Sequence, residues 1–235
     1  YPERIVIGTD NKKVIKTLAD LYAPIVKKRP IYFTTSRRGA ELIKYASNAF
    51  LATKISYINE IANLCEKTNI NAEDVSIGMG LDKRIGSRFL RVGPGYGGSC
   101  FPKDTKALVE IAKKYKIDMV TVTAAIEANK SQRKRMLNKL NELLDNNLKG
   151  KVIAILGLAF KQETDDVRES PAIEIISGIH DEGGIVKAYD PIANNSMKEF
   201  FPALDYKSNW HEAVKGSDAA VIMTEWNEFR SMDLE

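Results

Sequence analysis

Cysteine is scarce in this chain: among 235 residues only Cys65 and Cys100 carry a thiol. Two cysteines cannot build a disulfide framework, so the expected setting is reducing and cytoplasmic. Histidine is as rare, and His180 and His211 stand apart with no partner at metal-ligand spacing. Both read as structural residues, and no metal site is expected. No apolar run approaches the roughly 20 residues that span a bilayer, and no secretory leader is visible, so a membrane is not an expected partner. An excess of one charge is missing too. The 35 basic and 31 acidic residues are interspersed and leave only +4. That argues against a nucleic-acid surface while leaving room for a basic pocket around a phosphorylated small molecule. The full Gly-x-Gly-x-x-Gly dinucleotide fingerprint is absent as well, as are internal repeats and low-complexity segments. Gly157 at a strand end is weak evidence for such a site on its own.

What is present is an apolar fraction of 44%, enough over this length for one large core or two small ones. Residues 1–36 read as strand, helix, strand: RIVIG ends at Gly8, Val14–Val26 has helical spacing, and Pro30 precedes the β-rich IYFTT. One such unit cannot bury both faces of its sheet. With Tyr1 rather than Met in first place, it is expected to be the tail of a larger parallel-sheet domain.

A long helix is predicted over about Arg38–Thr68, spanning roughly 45 Å. Its apolar set, which includes Leu42, Ile43, Ala49, Phe50, Ile58, Ala62 and Leu64, is wide enough to be buried on more than one side. A helix of that length bridges domains or meets a partner subunit. Asn71 is placed to cap a short helix that follows. Another long helix is predicted over Val120–Asn146, with the Lys/Arg cluster at 130–135 a solvated face in a polar connector. From Gly150 onward, KVIAILGLAF, IVKAYDP and DAAVIMTEW alternate with a helix in ESPAIEIISGIHDEGG, which predicts a doubly wound parallel sheet. Trp210 and Trp226 are expected in its core. The fold class is therefore α/β, with the end of one Rossmann domain at 1–36, a helical domain at 37–147 and a Rossmann-like domain at 148–235.

The irregular stretch RIGSRFLRVGPGYGGSCFPKD, residues 84–104, carries the chemistry. Cys100 precedes a helix opened by Pro102, and Lys103 is close by. A helix N-terminus and a cation both favour the thiolate. Glycines 97 and 98 let the backbone approach a ligand, and Asp104 adds an acid/base candidate in the first turn. Cys65, within an apolar helix, reads as structural.

The segment GPGYGGSCFPKD resembles the catalytic-cysteine signature of the UDP-glucose/GDP-mannose dehydrogenase family. The blocks ELIKYASNAFLA at 41–52, RIG at 84–86, ILGLAFK at 155–161 and DDVRESPA at 165–172 match further family blocks in the same order. The resemblance implies two-step, NAD-dependent oxidation of a nucleotide-sugar C6 alcohol to a carboxylate. Cys100 is then the nucleophile that forms a thiohemiacetal and then a thioester. Lys44 and Asn48, four residues apart and so on one helix face, are implied to line the sugar site and stabilise oxyanions at C6. Asp104 supports proton transfer and water activation. Arg84 is implied to reach the substrate across a dimer interface. Phe89, Leu90, Arg91, Gly93, Tyr96 and Gly97 belong to the loop that wraps the sugar and nucleotide, and Lys161 meets the UDP. Cys100, Lys103 and Arg168 are implied to face NAD, with a salt bridge from Arg168 to Asp165 or Asp166 as the simpler alternative.

The resemblance also implies a homodimer through the long helix. It favours UDP-glucose, because GDP-mannose enzymes tend to have leucine in place of Phe101 and UDP-N-acetyl-sugar relatives lack the Lys103–Asp104 pair. The alternatives are another nucleotide sugar, or a non-catalytic nucleotide-binding dimerisation module. The family's Gly-rich cofactor domain would lie upstream of Tyr1 and a substrate-binding arginine beyond Glu235. This polypeptide alone is therefore expected to turn over little.

Overall fold

The computed structural model describes residues 2–26 and 31–232. Pro30 lies outside them. Strand β1 (Arg4–Gly8) pairs in parallel with β2 (Ile31–Thr35), Ile5 opposite Tyr32, and helix α1 (Lys12–Val26) connects them. Ile31 and Phe33 stay exposed, so among the described residues nothing covers that face.

Helix α2 (Arg37–Thr68) starts where the Ser36 side chain accepts from the Gly39 N–H, and it ends at Asn69, whose φ of 55° is left-handed. It packs against α3 (Ala72–Leu81), α4 (Phe101–Lys114) and α5 (Val120–Leu143). The face it buries carries mostly small and polar side chains: Ala49, Ala52, Ser56, Asn59, Ala62 and Cys65, with Ile58. The expected burial on several sides is only partly met. Leu42, Phe50 and Leu64 from the same apolar set remain exposed, together with Tyr57.

Helix α5 stops at Leu143 rather than Asn146, because Asp145 and Asn146 take left-handed φ values of 55° and 56°. Its basic stretch also departs from expectation. Gln132 and Arg133 are buried, not solvated. The two terminal nitrogens of the Arg133 guanidinium are spent on backbone carbonyls and a carboxylate, which offsets much of the cost of leaving water, while its Nε has no partner among the described residues.

The last unit is a parallel sheet in the order β5-β4-β3-β6: β3 (Val152–Leu156), β4 (Ile185–Tyr189), β5 (Asp205–Tyr206) and β6 (Ala219–Ile222). The two-residue β5 was not foreseen, since so short an edge strand leaves no alternating pattern. Helix α6 (Pro171–Asp181), capped by Ser170, crosses from β3 to β4. The short helices α7 (Asn194–Met197), α8 (Trp210–Val214) and α9 (Asn227–Arg230) complete the connections. Central strand β3 is buried on both faces. Ile153 and Ile155 pack with Ile175, Ile176 and Ile179 of α6, while Ala154 and Leu156 pack with Tyr189, Trp226 and Phe229. Each fully buried isoleucine is worth roughly 1.5–3 kcal/mol of transfer free energy. Trp226 is core, and Trp210 packs partly buried against it.

Candidate active site

Cys100 is exposed, unpaired and placed at the N-cap of α4, where its carbonyl accepts from the Asp104 N–H at 2.9 Å. One turn into the helix, Asp104 is 1% exposed. Three donors from two helices converge on it. Lys44 Nζ lies 3.3 Å and Asn48 Nδ2 2.5 Å from Oδ2, both from α2, and Lys103 Nζ donates to Oδ1. Burial, the largest single influence, pushes the Asp104 carboxyl up, but the hydrogen bonds from Lys103, Asn48 and Lys44 together outweigh it and hold it below its ordinary value. It is therefore an acceptor-only carboxylate near neutral pH. Its hydrogen bond in turn holds the proton on Lys103. Lys103 and Arg168 also sit close enough to Cys100 that a thiolate there would raise both of their pKa values.

The loop before Cys100 is clamped from below by side chains of α2 and α5. Gly93 donates its N–H to Asn59 Oδ1 at 2.9 Å and accepts from Gln132 Nε2 at 3.0 Å. Tyr96 donates its N–H to Asn129 Oδ1 at 2.7 Å, and its carbonyl accepts from Asn129 Nδ2 at 3.1 Å and Arg133 at 2.8 Å. Leu90 is buried, and its carbonyl accepts from Ser76 Oγ at 2.6 Å. These main-chain groups of Leu90, Gly93 and Tyr96 are thus engaged by the protein itself. Phe89 holds a left-handed φ of 66°, uncommon for an aromatic residue. At Gly97 a Cβ would stand 2.3 Å from the Glu169 carbonyl oxygen, so only glycine fits. Gly98, at φ +79°, donates to the Arg168 carbonyl at 2.9 Å.

Above this loop lies a cleft of about 420 Å³, a size ordinary for small-molecule sites. One wall is Phe89–Gly97 with Phe101, and the other is Phe160, Lys161 and residues 222–225 at the mouth of the last sheet. Phe101 packs 6.0 Å from the rings of Phe89 and Tyr96 and so shapes the floor. Arg91 bridges the two walls by a 2.5 Å contact to Glu225. A second cleft, about 470 Å³, opens beside the ends of β1 and β2 next to Ser36–Arg38.

Two predicted residues stand elsewhere or otherwise. Arg84 is 90% exposed and pairs with Asp82 at 2.6 Å, outside the Cys100 group. Arg168 binds Asp166 through Nε at 2.9 Å and NH2 at 2.8 Å, the salt bridge weighed for it from sequence. Asn59, Asn129, Gln132 and Arg133 were not singled out, and neither was Lys54, which donates to the Ile85, Gly86 and Arg88 carbonyls and fixes the RIG turn to α2. The only signal for the clamp was a run of amide and basic side chains at helical spacing on α5. Among the described residues no group of three or more His, Cys, Asp or Glu could hold a metal ion, and no helix is long and apolar enough to cross a membrane.

The fold and the site together define an α/β protein with an exposed thiol near two cations, beside a ligand-sized cleft. Residues 38–131 match the central domain of the UDP-glucose/GDP-mannose dehydrogenase family, and residues 154–235 match its UDP binding domain. The chain belongs to that family. It is 50% identical to the UDP-glucose 6-dehydrogenase of Rickettsia bellii over 99% of its own length and 54% of the relative's. To UDP-glucose 6-dehydrogenase YwqF of Bacillus subtilis it is also 50% identical, over 100% and 52%. A UDP-glucose dehydrogenase from Pyrobaculum islandicum superposes with a TM-score of 0.95 at 34% identity, over 100% of this chain and 54% of that one. The chain thus spans about half the length of these relatives.

Proposed function

We propose that this chain carries the nucleophile, sugar site and UDP site of a UDP-glucose 6-dehydrogenase, with residues 1–36 as the end of a cofactor domain, 37–147 as a catalytic and dimerisation domain and 148–235 as a UDP domain. The observation that carries this reading is the convergence of Lys44, Asn48 and Lys103 on buried Asp104, one helical turn from exposed Cys100. A scaffold has no use for that arrangement. The similar relatives are named for UDP-glucose, which supports that substrate.

In this reading Cys100, Lys103 and Arg168 face NAD, and the fit rests on two exposed cations close to an exposed thiol. NAD, when bound, takes up the hydride removed from C6 in each of two oxidations. The chain's own residues do the rest. Cys100 adds as thiolate to the C6 aldehyde, forming the carbon–sulfur bond of a thiohemiacetal. Loss of the second hydride leaves a thioester, and water attacks its carbonyl and expels the thiolate. Lys44 has three N–H groups and a single acceptor in Asp104 among the bonds described, so it retains donors for the oxygen on C6. Asn48 likewise keeps one amide hydrogen. Ionised Asp104 anchors both donors, so each is aimed before charge develops on that oxygen. UDP occupies the cleft between Phe89–Gly97 and Lys161.

Differential alkylation tests the assignment. With iodoacetamide at neutral pH, Cys100 is expected to label much faster than buried Cys65, and UDP-glucose is expected to slow it. Equal, slow labelling of both thiols would sink the assignment.

A further inference from the structure

Arg133 is 6% exposed, yet its guanidinium reaches three acceptors: the Tyr96 carbonyl at 2.8 Å, the Glu169 carbonyl at 3.0 Å and Glu174 Oε1 at 2.5 Å. The first acceptor lies four residues before Cys100 and the second directly after Arg168. Between them the two segments touch main chain to main chain, through Gly98 N–H and the Arg168 carbonyl. A cation taken out of water must keep its acceptors, so the guanidinium dictates where both carbonyls sit. Asn129, one turn earlier on α5, grips both main-chain groups of Tyr96.

We infer that Arg133, assisted by Asn129, is a positioning residue: it sets the register between the Cys100 loop and the Arg168 segment, and so the placement of the thiol against the substrate cleft. The inference rests on the functional reading above. Lysine cannot replace it, because a single ammonium cannot reach in the plane of a fork toward three separate acceptors.

The test uses the whole chain and follows alkylation of both thiols. Cys65, buried in α2, reports general opening of the fold, while Cys100 reports the site. In the parent protein, UDP-glucose is expected to slow Cys100 labelling. Absence of that effect would remove the functional reading itself, before any variant is made. In Arg133→Lys, half-protection of Cys100 is expected to need at least about tenfold more UDP-glucose, the equivalent of one charge-assisted hydrogen bond, with Cys65 labelling unchanged. Asn129→Asp keeps the acceptor for the Tyr96 N–H, loses the donor to its carbonyl, and is expected to move protection in the same direction. It carries the test alone if Arg133→Lys exposes Cys65. Parental protection curves in a variant that keeps Cys65 closed would overturn the inference. So would Cys65 opening in step with Cys100 in both variants, which would make the clamp a matter of general stability.

Discussion

Asp104 draws the site together because it is the one buried anion among three donors, and its protonation links the site to stability. Its native carboxyl binds a proton less readily than the same group in the unfolded chain. The stabilisation is therefore complete at neutral pH, begins to shrink below about pH 4, and is gone once the pH has fallen through the native value. Asp104→Asn keeps the shape and loses the charge. It is expected to cost roughly 1.5–3 kcal/mol at pH 7, the range for hydrogen bonds to charged groups. Against the parent, that deficit should narrow in acid, where the parental carboxyl also takes a proton. Denaturant unfolding at pH 7 and pH 3 reads this, and an equal deficit at both would contradict it. At this scale Cys100 and Asp104 were legible from sequence because glycines, proline and charge surround them within a few neighbouring positions. Arg133 and Asn59 were not. Their main-chain partners lie 34 to 37 positions away, and a main-chain group leaves no mark in a sequence.

Among the elements, α2 was read almost to the residue, because 32 helical positions give a long periodic signal. The fate of its apolar stripe was harder to read. Leu42, Phe50, Tyr57 and Leu64 follow one another at intervals of 8, 7 and 7 residues, which keeps them within about 80° of one side at the helical twist. All four are exposed, Phe50 by 66%. Near-heptad spacing of large apolar groups is what a second helix packs into, and the same stripe on a second copy of α2 completes a two-fold interface. A homodimer through α2 is therefore expected, with Phe50→Glu and Leu64→Glu each shifting micromolar protein toward monomer in sedimentation velocity. A parent chain that sediments as a monomer would end the idea. The basic stretch of α5 was misread at this scale for a plain reason: periodicity finds apolar faces and cannot tell a solvated arginine from one buried on carbonyls.

At the scale of the whole molecule, the helical part meets the last unit along α5 and α6, and the Cys100 loop meets it where Gly97 passes Glu169. The two parts were visible in sequence as a change of period, from helical spacing to alternating strands and helices. The loop contact was not visible, since it depends on two loops, each without a pattern, that fold against one another. The geometry makes the contact testable with a single methyl group. A Cβ at Gly97 would lie 2.3 Å from the Glu169 carbonyl oxygen and 3.2 Å from Pro171 Cδ, and neither a backbone oxygen nor a proline at the start of α6 can swing aside. Gly97→Ala must therefore push the Cys100 loop away from the last unit, as overpacked sites do at a cost of roughly 1–3 kcal/mol. The sheet side of the proposed UDP cleft keeps its core around Ile153, Ile155 and Ile176, while the loop side is displaced. Calorimetry is expected to find UDP binding weakened but still measurable through the sheet side of the cleft, while UDP-glucose no longer protects Cys100 from alkylation. Loss of both together would mean that the sheet and the loop form one binding surface that cannot be divided. Loss of neither would mean that the loop tolerates displacement and that the thiol's placement does not depend on contact with the last unit.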